Sequence, residues 1–165
     1  MTDTSPVVVV RTTLPAPPNV VYDEWLDPEA LTEWMCPRPA RCLRVALDPQ
    51  VGGELRIDIE DEGEQFFVSG TFLALDRPRL LRFTWSCSLW PDPDLVTTVS
   101  VHLDPQGNGD TLMTIRHAML PPDVRIRHEH GWAKIADQLA DGLAASATVS
   151  NESSREPHAG ARNRR

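Results

Sequence analysis

The stretch PPDVRIRHEHGWAKIADQLADGL, residues 121 to 143, decides the fold. Its opening Pro121-Pro122-Asp123 ends a preceding strand and can begin a helix, because proline is tolerated in the first helical turn and aspartate complements the helix dipole there. Apolar residues then recur at steps of three and four, which places them on one helical face. These residues are Trp132, Ile135, Ala136, Leu139 and Leu143. The pattern predicts a long C-terminal helix whose apolar face packs against another element.

Towards the N-terminus the hydrophobic period changes from that of a helix to that of β-strands. In residues 54 to 60, Leu55, Ile57 and Ile59 alternate with charged residues, so that one face of the predicted strand is apolar and the other is exposed to solvent. Similar alternation occurs on both sides of this segment, between residues 43 and 118, with glycine- and proline-containing turns between the strands. Together with a first strand near the N-terminus, these segments predict six or seven antiparallel strands in all.

The strand around residues 43 to 47 is predicted from the same two-residue period. Leu43, Val45 and Leu47 fall on one face, and the residues between them fall on the other. We therefore expect these three apolar side chains to point to the same side of the sheet.

Two short helices are predicted between the first strand and the rest of the sheet. Residues 7 to 14 are rich in β-branched residues and end at a proline cluster, which predicts a strand followed by a turn. The apolar spacing then becomes helical, and Asp27 followed by Pro28 is typical of an N-cap and a first helical residue. The expected helices span about residues 18 to 26 and 28 to 35.

This order of elements favours an α+β fold, in which a curved antiparallel sheet of six or seven strands wraps around the long C-terminal helix. We assign residues 1 to 145 to this single domain. Residues 146 to 165 contain mainly Ser, Asn, Arg, Glu, Pro and Gly without a hydrophobic period, so we predict a disordered tail.

The composition limits the classes of partner and the compartment. A formal charge of -8 at pH 7 repels phosphate backbones, so we expect no nucleic acid partner. No apolar run is long enough to cross a bilayer, and Asp3 stands where a signal peptide carries basic residues, so we expect a cytoplasmic protein without membrane insertion. Cys36, Cys42 and Cys87 form no C-x-x-C pair and are odd in number, which predicts reduced thiols.

Several short motifs, taken in order, resemble those of a known family. They are Leu14-Pro15-Ala16-Pro17, Trp25-Leu26-Asp27-Pro28-Glu29-Ala30-Leu31 with Trp34, Val51-Gly52-Gly53-Glu54, Gly70-Thr71-Phe72, Leu80-Leu81-Arg82-Phe83-Thr84-Trp85 and Gly131-Trp132. Together they span about residues 7 to 143 and resemble the START-like helix-grip (SRPBCC) superfamily, in particular the family related to the C-terminal domain of the activator of the heat-shock-protein-90 ATPase. The resemblance implies a helix-grip fold and similarity to proteins that bind lipids, polyketides and other apolar molecules, to a co-chaperone domain, and to proteins that sequester antibiotics for self-resistance.

A candidate site follows from this resemblance and from the large rings expected between the sheet and the last helix. The predicted ligand-binding residues are Trp34, Phe72, Phe83, Trp85, Val99, Met113, Ile115, His117, Trp132, Ile135 and Leu139. An enclosed apolar space of this kind suits a hydrophobic ligand, but the same rings can also fill the core, and the residue types leave both alternatives open.

No metal, cofactor or catalytic residue is assigned. His128 and His130 are two positions apart, so on a helix their side chains diverge instead of converging on one metal ion. No serine lies in a G-x-S-x-G motif, and the glycines do not form a dinucleotide-binding pattern.

Three functions remain as hypotheses. The first is a binding protein that holds or sequesters a small apolar molecule, such as a lipid, a polyketide or an aromatic compound. The second is a polyketide-cyclase-like enzyme in which His117 moves protons, because alternation places it on the apolar face of its strand. The third is a co-chaperone-like domain that contacts a chaperone. We expect a monomer or a weak dimer.

Overall fold

The computed structural model describes residues 7 to 154. The elements in chain order are β1 (Val8–Leu14), α1 (Pro18–Leu26), α2 (Pro28–Trp34), β2 (Arg41–Leu47), β3 (Glu54–Asp61), β4 (Glu64–Asp76), β5 (Leu80–Cys87), β6 (Thr97–Pro105), β7 (Thr111–Ala118) and α3 (Pro122–Ser154). This order, one strand, two short helices, further strands and a long helix, is the order that the sequence predicts.

The strands form one sheet in the order β1-β7-β6-β5-β4-β3-β2, and every neighbouring pair is antiparallel. Strands β2 to β7 follow one another as a meander, and β1 pairs with β7 at the far edge. Side chains alternate between buried and accessible along β3, β5 and β6, and the buried ones join those of the helices in one core. The predicted α+β helix-grip architecture is confirmed.

Strand β2 departs from the predicted alternation at Leu43. Cys42 and Arg44 pair with consecutive residues of β3, so Leu43 is an extra residue without a partner there. A bulge of this kind turns the chain and exchanges the two faces of the strand across it. Leu43 is 43% exposed, whereas Val45 and Leu47 pack against the core, so the prediction that the three share one face is wrong. Cys42 packs against the core instead.

The two short helices begin where the sequence predicts. Pro18 and Pro28 stand in their first turns. The carboxylate of Asp27 accepts a hydrogen bond of 3.0 Å from the backbone N–H of Glu29, which caps α2. The bounds of α1 agree with the predicted ones, and α2 ends one residue earlier than expected.

Helix α3 is longer than the sequence analysis expected. It continues through residues 146 to 154, where a disordered tail was predicted. Ala144, Ala145 and Ala147 have high helix propensity, which favours this extension of the helix. Residues 155 to 165 of the predicted tail lie outside the described residues. Of the helices described, none has both the length and the apolar character needed to cross a membrane.

A disulfide between Cys36 and Cys42 corrects the prediction of reduced thiols. The turn between α2 and β2 brings the two Cα atoms to 5.7 Å, a usual distance for a disulfide. The prediction rested on the odd number of cysteines, and the third one, Cys87, has a free thiol. Burial raises the pKa of that thiol, which favours the protonated form.

Reduction of this disulfide is expected to lower the free energy of unfolding by ~2 kcal/mol, because the bond closes a short loop and restricts the unfolded chain. Urea denaturation with and without a reducing agent measures the difference. Cys36→Ala/Cys42→Ala should reproduce the loss and no longer respond to the reducing agent, whereas Cys87→Ala should respond as the wild type does. Equal stability of oxidised and reduced wild type would contradict this assignment.

Candidate functional site

Six aromatic side chains meet between the sheet, α3 and the two short helices, and we call them the ring cluster. They are Trp25 of α1, Trp34 of α2, Phe72 of β4, Phe83 and Trp85 of β5, and Trp132 of α3. Five of them were predicted as ligand-binding residues. Trp25 was not, although it lies between the others.

The members of the ring cluster pack directly against one another. The ring centroid of Trp132 lies 5.2 Å from that of Trp85 and 6.3 Å from that of Trp25. Trp25 lies 6.1 Å from Phe83 and meets Trp34 edge-on at 4.9 Å. These are the separations of packed aromatic pairs. Of the two alternatives that the sequence leaves open, the structure therefore shows the filled core between these rings.

The remaining predicted site residues surround the ring cluster from the sheet and from α3. All are buried, and they are Val99 of β6, Met113, Ile115 and His117 of β7, and Ile135 and Leu139 of α3. The structure thus brings all the predicted residues into one core. Their role as ligand contacts stays a prediction.

His117 is held by hydrogen bonds at both ring nitrogens. The indole N–H of Trp132 donates to its Nδ1 at 3.0 Å, so this nitrogen carries no proton. The other nitrogen, Nε2, therefore carries the proton and donates to the Oγ1 of Thr97 at 2.7 Å. The hydroxyl of Thr97 donates in turn to the carbonyl of Trp85 at 2.8 Å. This series of hydrogen bonds leaves no lone pair free on the ring of His117. The geometry therefore argues against a proton-transfer role for His117.

His128 is the immediate neighbour of His117 on α3. The two rings meet edge-on at 5.2 Å, and Trp90 packs against His128 at 5.9 Å. Burial, together with the adjacent His128, lowers the pKa of His117 to about 3. Burial also lowers the pKa of His128, so both rings are neutral at pH 7. The spacing of His128 from His130 argued against a metal site, and nothing in that spacing indicated the contact with His117.

Acidification should destabilise the fold through His117. Between its ordinary pKa of 6.5 and its lowered pKa of about 3, the unfolded chain binds a proton that the folded chain does not bind. The free energy of unfolding should therefore fall below about pH 6.5, by up to ~1.4 kcal/mol per pH unit. Urea denaturation at pH 7, 6 and 5 measures this slope. His117→Gln should flatten it, and an unchanged slope in that variant would contradict the assignment.

Two arginines of the sheet lie away from the ring cluster. Arg44 and Arg56 are on the outer face of the sheet, where they line a surface pocket of about 290 Å³ with Ala46 and Asp58. Arg56 forms an ion pair with Asp58 at 3.0 Å. Within residues 7 to 154, no three metal-binding side chains come together.

An open groove lies beside the ring cluster, between the two short helices and α3, and we call it the α2–α3 groove. Its volume is about 460 Å³. Its apolar lining consists of Ala30, Trp34, Leu139, Gly142 and Leu143. Its polar lining consists of Glu24, Glu33, Arg38, Gln138, Asp141 and Ser146. Trp34 and Leu139 belong to the predicted ligand-binding residues, so the groove and the predicted site share a wall.

Glu24 is the half-buried acid of this groove. Its Oε2 accepts a hydrogen bond of 3.1 Å from the indole N–H of Trp34, which orients the tryptophan. Burial raises the pKa of Glu24, whereas the hydrogen bond from Trp34 opposes that shift and Asp27 adds to it. Sequence reasoning did not identify Glu24, because the fold alone places it beside Trp34.

Gln138 connects α3 to the loop that follows α2 through three hydrogen bonds. Its amide nitrogen donates to the carbonyls of Trp34 and Cys36 at 3.1 and 2.9 Å, and its amide oxygen accepts from the backbone N–H of Arg38 at 2.9 Å. The disulfide closes the same loop. The groove is therefore rigid on this side. In the sequence Gln138 falls on the polar face of α3, so its burial was not predicted.

Comparison with known proteins places this architecture in a family. The sequence model of the family described as Activator of Hsp90 ATPase homolog 1-like protein matches residues 15–144. Among curated proteins, none matches the chain.

Solved structures with the same architecture come from several bacteria. A protein from Nitrosomonas europaea is 27% identical with a TM-score of 0.74, and the match covers 88% of this chain and 99% of that one. A protein from Chromobacterium violaceum is 25% identical with a TM-score of 0.74, covering 84% of this chain and 97% of that one. The AHSA1 protein from Silicibacter pomeroyi is 24% identical with a TM-score of 0.69 and shares the fold over 86% of this chain and 99% of its own. Because the family match extends from the end of β1 to the middle of α3, the chain belongs to the family of Activator of Hsp90 ATPase homolog 1-like proteins.

Proposed function

We propose that the chain binds a small apolar molecule, which enters at the α2–α3 groove and lies against the ring cluster. The observation that carries the proposal is the groove itself. Its volume of about 460 Å³ falls within the range of small-molecule sites, and Trp34 and Leu139 are among its lining residues. Five apolar and six polar residues line the groove, so a ligand there would meet both apolar area and polar groups that can orient it.

Trp34 is the side chain that separates the α2–α3 groove from the ring cluster in the core. It lines the groove on one side and contacts Trp25 on the other. Its indole is held to α1 by the hydrogen bond to Glu24. A rotation of Trp34 would break this bond and expose Trp25, so the filled core can admit a ligand ring at this point without separation of the sheet from α3.

Filling the groove with a side chain should abolish binding. Gly142 lies on α3 with no atom within 4 Å of an added Cβ, so Gly142→Trp should fold normally and occupy the groove. Ala133 is exposed on the same helix and does not line the groove, so Ala133→Trp is a matched control. Fluorescence titration with the neutral apolar dye N-phenyl-1-naphthylamine gives the affinity.

The proposal predicts saturable binding to the wild type and to Ala133→Trp, and at least about tenfold weaker binding to Gly142→Trp. An absence of saturable binding to the wild type would contradict it. So would equal affinity of the two tryptophan variants.

The compartment and the other partners of the sequence analysis remain predictions. A cytoplasmic location is one such proposal. A contact with a chaperone, which the description of the family suggests, is another. The groove itself supports ligand binding, since its volume falls within the range of small-molecule sites and its lining includes Trp34 and Leu139.

A further inference from the structure

Two tryptophans of the ring cluster have buried indole N–H groups without an acceptor. They are Trp25, which is 3% exposed, and Trp85, which is 7% exposed. Among the described residues, these two atoms and the Nε of Arg125 are the buried side-chain nitrogens and oxygens that lack a partner. Unpaired buried donors are rare in folded proteins, because removing an N–H group from water without a new acceptor is costly.

Both unpaired donors border the same two rings. Trp25 and Trp85 flank Phe83, with ring centroids 6.1 and 6.3 Å away, and both also contact Trp132. By contrast, the indole N–H of Trp132 is paired with His117, and that of Trp34 is paired with Glu24. The unpaired donors are thus confined to the two members of the cluster on either side of Phe83.

The polar groups around these donors restrict the charge of a ligand. His117 is neutral and has both nitrogens occupied, and the hydroxyl of Thr97 is occupied as well. Among the contacts described, no cation lies against Trp25 or Trp85, so a buried carboxylate would lack a counter-charge there. An ammonium group is itself a donor and could not pair with their N–H groups. The cluster offers hydrogen-bond donors and apolar area.

On the basis of the proposed function, we infer that the ligand is a neutral aromatic molecule with a carbonyl oxygen, which accepts a hydrogen bond from Trp25 or Trp85. Trp25 is the nearer donor, because its ring contacts Trp34, which lines the α2–α3 groove. Trp85 lies beyond Trp132 and provides a second donor for a larger ligand that carries two oxygens. The apolar skeleton packs against the rings, and the oxygen determines selectivity.

A pair of probes that differ by one oxygen tests this inference. Fluorenone and fluorene have the same tricyclic skeleton, and fluorenone carries the carbonyl. Competition of each against N-phenyl-1-naphthylamine gives two affinities for the wild-type protein. We expect fluorenone to bind at least about fivefold more tightly, since its oxygen pairs a donor that is otherwise unpaired.

Phenylalanine variants identify the donor. Trp25→Phe and Trp85→Phe keep a ring and remove the N–H, so at least one of them should bring the ratio of the two affinities close to one while fluorene still binds. Trp90→Phe removes an indole N–H outside the ring cluster and the groove, and should keep the preference. Equal binding of both probes to the wild type would overturn the inference and leave the proposed function standing. Failure of both probes and of the dye to bind would contradict the proposed function as well.

Discussion

Replacement of Trp132 by alanine is expected to lower the free energy of unfolding by about 5 kcal/mol. The side chain is 2% exposed and contacts Trp25, Trp85 and His117. Its removal leaves a large cavity in the core and deprives the Nδ1 of His117 of its donor. Urea denaturation followed by circular dichroism measures the loss, which is a large part of the stability of a typical domain.

Two further measurements separate the cavity from the hydrogen bond. Trp132→Phe keeps a ring but cannot donate to His117. The lost hydrogen bond should lower the free energy of unfolding by about 1 to 2 kcal/mol, in addition to the loss caused by the smaller ring. Added indole should restabilise Trp132→Ala, because it fills the cavity and restores a donor. A loss below about 2 kcal/mol in Trp132→Ala would contradict the central position of this residue in the core.

Substitution of Gly70 by alanine is expected to cost at least ~3 kcal/mol. A Cβ at this position would lie 1.9 Å from the backbone carbonyl oxygen of Thr84, and this backbone atom cannot move aside as the end of a flexible side chain could. The close approach occurs where β4 and β5 interrupt their regular pairing, and there the N–H of Thr71 donates to the hydroxyl of Thr84 at 2.8 Å. Chemical denaturation of the purified variant measures the loss.

Gly142→Ala is the matched control for this substitution. Gly142 is in the interior of α3, and an added Cβ meets no atom within 4 Å. The variant should therefore be stabilised by up to ~1 kcal/mol through helix propensity. If Gly70→Ala and Gly142→Ala changed stability by similar amounts, the close contact between β4 and β5 would be disproved.

Local patterns in the sequence predicted the sheet and the helices, because each depends on a short period. Leu55, Ile57 and Ile59 face the core as their alternation requires. The exception at Leu43 arises because a bulge adds one residue to a strand without changing its composition, so the two-residue period gives no sign of it. The end of α3 was placed too early because the alanines after Leu143 lack a hydrophobic period while still favouring helix.

The candidate site was harder to predict, since it depends on distances between elements that are remote in sequence. Trp25 is one turn from Val21, and this spacing indicated a helix without indicating that the ring meets Trp132. The disulfide between Cys36 and Cys42 depends on the path of the turn between them. The α2–α3 groove depends on how closely two helices approach, which residue types do not determine.

The most direct test of the proposed site is the two-dimensional ¹H–¹⁵N spectrum of the tryptophan indole groups during titration with N-phenyl-1-naphthylamine. The chain has five tryptophans and therefore five indole signals, each assignable by substitution. Binding in the α2–α3 groove predicts that the Trp34 signal shifts most and that the signal of Trp90, which packs against His128 away from the groove, stays in place. A spectrum in which Trp34 does not move, or in which Trp90 moves alone, would contradict binding at this site.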